Sequence, residues 1–196
     1  VQPALSPVFT QSRDAARYAH THMGARHKRQ FGFILKSVHS DEFVATLPME
    51  GGGLLLDRVF PREHAERNNT LPSGFKLHAV YLGAPATYFA TPWEVREVRN
   101  LNTLLGFVTP DDFADGLGLV SMVKQQRGAF TGEVPLYLST NEGALLRYVP
   151  VNLWLQLTSG LFRDWGRPLL SEILTGALHV TNYVYQVAAS GQLDVL

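Results

Sequence analysis

The sequence predicts a chain of the α/β class, of the α+β kind in which helices lie against a sheet. Three observations carry that expectation: two pairs of β-rich runs around short polar turns, one unbroken apolar run at Phe75 to Leu82, and helix-opening signals at Ser12, Thr91 and Thr109. With 196 residues, of which 45% are apolar and 17% charged, the chain can close a core of its own and lies far from the composition of disorder.

Behind a proline-containing lead from Val1 to Thr10, Ser12 and Asp14 open a helix whose Ala15, Ala16, Ala19 and Met23 share one side, and Gly24 closes it. The runs Gln30 to Lys36 and Glu42 to Leu47 are β-rich, and the polar stretch Ser37 to Asp41 joins them as a hairpin. Gly51 to Gly53 breaks the chain before a third apolar run, Leu54 to Phe60, and Pro61 to Gly74 reads as an exposed loop or short helix. Phe75 to Leu82 follows as a central strand. Thr91-Pro92-Trp93-Glu94 opens a second helix, with Val95, Val98, Leu101, Leu104 and Leu105 at helical spacing.

Thr109-Pro110-Asp111-Asp112 opens a third helix more sharply. The threonine can accept from free backbone N–H groups, proline suits the first helical position, and both aspartates meet the positive helix end. Val134 to Thr140 and Ala144 to Val149 flank Asn141-Glu142-Gly143 as a second hairpin. In the tail a helix is expected over Leu169 to Leu178 and a strand over His179 to Val187. The chain is read as a body of residues 1–150 with an extension, 151–196, packed on the same domain.

Lys plus Arg equals Asp plus Glu at 17 each, so no overall field gathers nucleic acid or an anionic membrane, and neither is expected as a partner. Zero cysteines exclude disulfides, thiolate nucleophiles and Cys-based metal sites. No window approaches the roughly 18 consecutive apolar residues of a membrane span, and no basic region followed by an apolar core marks a leader. A soluble protein is expected, cytoplasmic or secreted as a bacterial effector. An opening Val1 in place of Met is what trimming from a longer parent would produce.

The stretches Asp14-Ala-Ala-Arg-Tyr-Ala19, Phe31-Gly-Phe-Ile-Leu35, Leu77-His-Ala-Val-Tyr-Leu-Gly-Ala-Pro85, Phe107-Val-Thr-Pro-Asp-Asp112 and Tyr137-Leu-Ser-Thr-Asn-Glu-Gly-Ala-Leu-Leu-Arg-Tyr148, taken in that order, resemble the JAB/JAMM (MPN-type) metallopeptidase-like fold. Within that fold they look like the domains attached to Rhs-type polymorphic toxins of bacteria. The resemblance spans most of residues 12–150 and implies a mixed, curved sheet flanked by helices. Active members of the family hold zinc through His-x-His-Pro at a strand end and the Asp of Ser-x-x-Asp, with a Glu on an earlier strand as general base. Three protein ligands leave one zinc position for a water whose pKa the metal lowers toward about 7.

Here the two histidine positions read Leu82 and Ala84 before Pro85, and the glutamate position reads Gln30. Leu and Ala offer no lone pair, and an amide cannot take a proton at neutral pH. Only the acid of the second motif remains, as Asp112 after Thr109, with Glu94 after Thr91 as a competing alignment. The resemblance therefore implies a scaffold without its metal, and neither a metal nor another cofactor is expected.

Five polar residues are the candidates for any other catalysis: His78, Tyr81, Glu94, Asp111 and Asp112. Each has a plainer reading. Asp112 at a helix N-terminus stabilises that end by roughly 0.3–1 kcal/mol without chemistry, and His78 and Tyr81 suit a buried strand as core residues. His20, His22 and His27 are close in sequence, but positions two apart on a helix point to different sides. Gly51 to Gly53 lacks the pattern of a phosphate loop, and Ser139, Ser159 and Ser171 lack the context of a nucleophile elbow. Arg26-His27-Lys28-Arg29, the only basic run, reads as a solvated connection.

The sequence thus points first to a metal-free protein-binding domain whose partner would be a target, an immunity protein or its parent toxin chain. The alternative is a toxin or peptide/isopeptide hydrolase using a non-zinc site around His78 and Asp112. The aromatic tail, with Trp154, Phe162, Trp165, Tyr183 and Tyr185, adds a homo-oligomer as a third reading.

Overall fold

The computed structural model describes residues 4–23, 29–50, 71–83, 110–127, 133–140, 143–150 and 191–196. Their elements are α1 (Ser12–Thr21), β1 (Gln30–Ser37), β2 (Phe43–Ala45), β3 (Met49–Glu50), β4 (Phe75–Gly83), α2 (Pro110–Arg127), β5 (Leu136–Ser139), β6 (Leu145–Pro150) and β7 (Gly191–Val195). The strands form one seven-stranded sheet in the order β2-β1-β4-β5-β6-β7, with β3 also pairing β1. Every pairing is antiparallel except β4 with β5, which run parallel with Gly83 opposite Ser139. The α+β class is therefore observed, and the chain end at 191–195 belongs to the same sheet as β1.

Strand alternation explains why this sheet is buried on both sides. Phe31, Phe33, Leu35, Val80, Leu82, Leu136, Leu138, Leu146 and Tyr148 share one core with Phe113, Leu117, Val120 and Val123 of α2. The residues of opposite parity, Ile34, Ala79, Tyr81, Tyr137 and Leu145, share a second core with Ala15, Ala16 and Ala19 of α1. A sheet covered twice reads in sequence as nearly continuous apolar runs, and β1 and β4 have that composition.

Both expected hairpins form. Lys36 opposes Phe43 in the first and Ser139 opposes Leu145 in the second, so each turn lies where its polar residues placed it. Proline opens α2 at Pro110, where its missing N–H has no helical partner to lose. The first helix opens at Ser12, as expected, and the structure adds detail at its start and in the lead. The N-cap of α1 is Gln11 without a side-chain hydrogen bond, and the Ser12 hydroxyl goes instead to the Tyr137 hydroxyl at 2.5 Å. The proline-containing lead adds to the sheet edge: Ser6 N–H donates to Ala45 O, Phe9 and Phe43 exchange backbone bonds, and Ser6 Oγ accepts from Ala45 N–H.

The expected helices at 91–105 and 169–178, the runs 54–60 and 179–187, and the triple glycine 51–53 lie outside the described residues. No helix among the described residues is long and apolar enough to cross a membrane.

Candidate functional site

Of the five candidates, Glu94 and the side chain of Asp111 lie outside the described part of the structure. The other three do not converge. His78 sits at a β-bulge, where the register slips between Ile34 opposite Ala79 and Leu35 opposite Leu77. The bulge places two successive residues on one side, so half-buried His78 joins the α1 side, its ring edge-on to Phe43 at 5.0 Å between centroids.

Tyr81 is 1% exposed and lies on the same face, donating its hydroxyl to Thr46 O at 2.5 Å. Burial pushes the Tyr81 hydroxyl well above its ordinary range, so it stays a neutral donor. Its ring crosses Gly32, where a Cβ would stand 2.2 Å from the Tyr81 hydroxyl, which is why a glycine interrupts an otherwise bulky strand.

Asp112 lies on the other side of the sheet, at the start of α2, and is 2% exposed. Arg29, at the entrance to β1, directs Nη2 to Asp112 Oδ1 and Nη1 to Asp115 Oδ2. One guanidinium thereby bridges two carboxylates one helical turn apart, a geometry suited to its planar fork. Gln30 pairs with Gly83, so Arg29 adjoins the carboxyl end of β4, whereas His78 is five residues back along that strand. At roughly 3.3 Å per residue the two places are about 16 Å apart along the strand, on opposite faces. A site uniting His78 with Asp112 has no geometric basis here.

Asp112 stands in the first turn of α2, as the helix-end reading expects, and its Oδ1 also takes an ion pair from Arg29. Arg29 was read as part of a solvated connection, yet its side chain is only 26% exposed, and its partners lie on a helix that a local reading of the basic run cannot see. Leu82, which the sequence resemblance sets at a histidine position, is fully buried in the α2-side core; Gln30, which it sets at the glutamate position, is also buried, and Ala84 falls outside the described residues.

A second polar constellation joins α1 to β5 and the turn that follows it. His20, near the end of α1, places Nδ1 at 2.6 Å from Ser139 Oγ and Nε2 at 3.0 Å from Gly143 O. A carbonyl only accepts, so Nε2 carries the proton and Nδ1 offers a lone pair to the Ser139 hydroxyl. Gly143 has φ of 101°, a conformation side chains disfavour, and Thr140 Oγ1 accepts from Ala144 N–H at 3.0 Å to set the same turn.

Toward the start of α1, Ser12 meets Tyr137. Burial raises the Tyr137 hydroxyl above its ordinary range, opposed by the Ser12 hydrogen bond and by the positive charges of Arg147 and Arg13. His22 turns elsewhere, its Nδ1–H donating to Tyr18 O at 2.8 Å with its ring stacked on Tyr18. The His20 to Ser139 contact spans 119 residues of sequence. Its only local signal was the turn glycine, so pattern reading dismissed both side chains. No family model, no curated protein and no solved structure matches the chain.

Proposed function

We propose that this chain is a metal-free, JAB/JAMM-like domain that acts by binding protein, as part of a bacterial toxin or effector system. The observation that carries the reading is the fork of Arg29 on Asp112 and Asp115. Asp112 is the acid that the resemblance leaves in a metal-ligand position, with Glu94 as the competing alignment, and its Oδ1 is already engaged by a guanidinium that it shares with Asp115. A zinc ion entering there would have to displace that group and would find the aliphatic Leu82 where the motif needs an imidazole. With Gln30 at the position of the general base, the water-activating chemistry of the family has no acceptor for the proton.

Recognition of a partner is favoured by β7. Among the described residues it pairs on one side only, with β6, and its Val195 is 50% exposed. An edge strand of this kind can take up an extended segment of another chain, whose backbone supplies affinity and whose alternate side chains supply selectivity. The partner would be a target, an immunity protein or the parent toxin chain.

Calorimetric titration with zinc and in-cell photocrosslinking together test the proposal. Zinc is expected to give no saturable heat. A photoreactive residue at Val195 is expected to yield a discrete protein adduct that one at Arg17, on the exposed side of α1, does not. Stoichiometric zinc uptake by the wild-type chain would refute the metal-free reading, and equal adducts from both positions would refute the β7 surface.

A further inference from the structure

We infer that Ser139 and His20 form a nucleophile–base pair able to take an acyl group from a small, uncharged ester. The inference stands apart from the binding role above, which concerns the α2 side and the β7 edge. Its first support is the direction of the hydrogen bonds. Gly143 O fixes the Nε2–H tautomer of His20, and the Nδ1 lone pair then faces Ser139 Oγ at 2.6 Å. That is the arrangement an activated serine requires: a base within reach of the hydroxyl, and a third group that holds the base in the right tautomer. Here the third group is a backbone carbonyl, set by a turn whose Gly143 has a positive φ.

Position is the second support. Ser139 is the last residue of β5 and stands opposite Gly83, the last residue of β4, across the one parallel pair of the sheet. In doubly wound parallel sheets ligands bind outside the carboxyl ends of the strands, and this parallel pair, single among the described residues, brings two such ends side by side. Gly83 places no side chain beside the serine on that face. Burial is the third. Ser139 is 1% exposed while His20 is half-buried, so the hydroxyl is shielded from bulk water, which is what restricts the proposal to a compact donor.

The reaction is balanced by these two side chains and water. Ser139 Oγ attacks the ester carbonyl carbon as its proton passes to His20 Nδ1, giving an imidazolium that still donates from Nε2 to Gly143 O. The tetrahedral adduct collapses, the ester C–O bond breaks, and Nδ1–H returns the proton to the departing alcohol. Water, deprotonated by the same nitrogen, then cleaves acyl-Ser139 to the carboxylic acid and restores the pair. In sum, ester and water give acid and alcohol.

Treatment of the full chain with diisopropyl fluorophosphate tests the pair directly. The Ser139 Oγ–P bond forms, the P–F bond breaks, and the proton leaves through His20. One phosphoryl adduct mapped to Ser139 is expected, with its rate lost by roughly 100-fold or more in His20→Ala, the lower end of what a general base contributes. Ser12→Ala, which alters only the Tyr137 contact, is expected to label like the wild type. Circular dichroism and thermal unfolding establish that each variant is folded, with His20→Gln as the second variant should His20→Ala fail to fold. No adduct at Ser139, or an adduct whose rate is indifferent to both His20 substitutions, overturns the inference.

Discussion

Replacing Arg29 by alanine is the most direct perturbation of the α2 side. The substitution removes the cation that faces Asp112 at 2% exposure and Asp115 at 27%. Breaking one side of a fully buried ion pair destabilises by about 3–5 kcal/mol, because the remaining charge keeps its desolvation penalty. Arg29 is itself 26% exposed, so water can reach part of the vacated space, and the expected loss is about 2–3 kcal/mol.

For a chain of this size a kcal/mol corresponds to roughly 2–4 °C, so the melting temperature should fall by about 4–12 °C. Urea unfolding of the wild type, Arg29→Ala, Asp112→Asn and the double variant completes the measurement as a cycle. Asp112→Asn removes the stranded charge at nearly constant volume, so the double variant should be more stable than Arg29→Ala by about 1–2 kcal/mol. An Arg29→Ala protein within about 0.5 kcal/mol of wild type, or a cycle whose two single effects simply add, would refute the idea that this guanidinium balances the buried acid.

Gly32→Ala places a Cβ 2.2 Å from the Tyr81 hydroxyl and 2.6 Å from Thr46 Oγ1. It should destabilise by about 1–3 kcal/mol through overpacking, read as a lower urea midpoint; an unchanged midpoint would show that the Tyr81 ring does not cross that backbone. Tyr81 and Tyr137 both have hydroxyls raised by burial, so the stability they contribute is fully present below the ordinary tyrosine value of about 10 and drains away as pH rises beyond it. Ultraviolet titration should show two tyrosines ionising late, with Tyr137→Phe removing one of them, and early ionisation of the whole set would contradict their burial.

Much of the fold was legible because it is encoded locally. Each hairpin is a pair of β-rich runs around a few polar residues, and Pro110 marks the opening of α2 within four positions of sequence. The N-terminal lead failed to announce its edge pairing because isolated backbone bridges at Leu5 and Phe9 need no alternating pattern. The contacts of Arg29 and His20 were not legible for a different reason: their partners lie 86 and 119 residues away, and a local charge or histidine count carries no information about them.

The His20 contact is made from α1, a helix whose sheet-facing residues are small. That helix meets the sheet through Ala15, Ala16 and Ala19, whereas α2 meets the other face through Phe113, Leu117, Val120 and Val123. Alanines let the helix axis approach closely, so even the one-carbon side chain of Ser12 reaches Tyr137, and His20 reaches Ser139 at the other end of the same short helix. On the α2 side the packing residues are larger, Gly116 is where the helix comes tight against Leu136 of β5, and the long fork of Arg29 connects the strand entrance to the helix carboxylates. Both polar links therefore depend on how each helix is seated, because the apolar residues that fix α1 and α2 on opposite faces decide which polar side chains meet the strands.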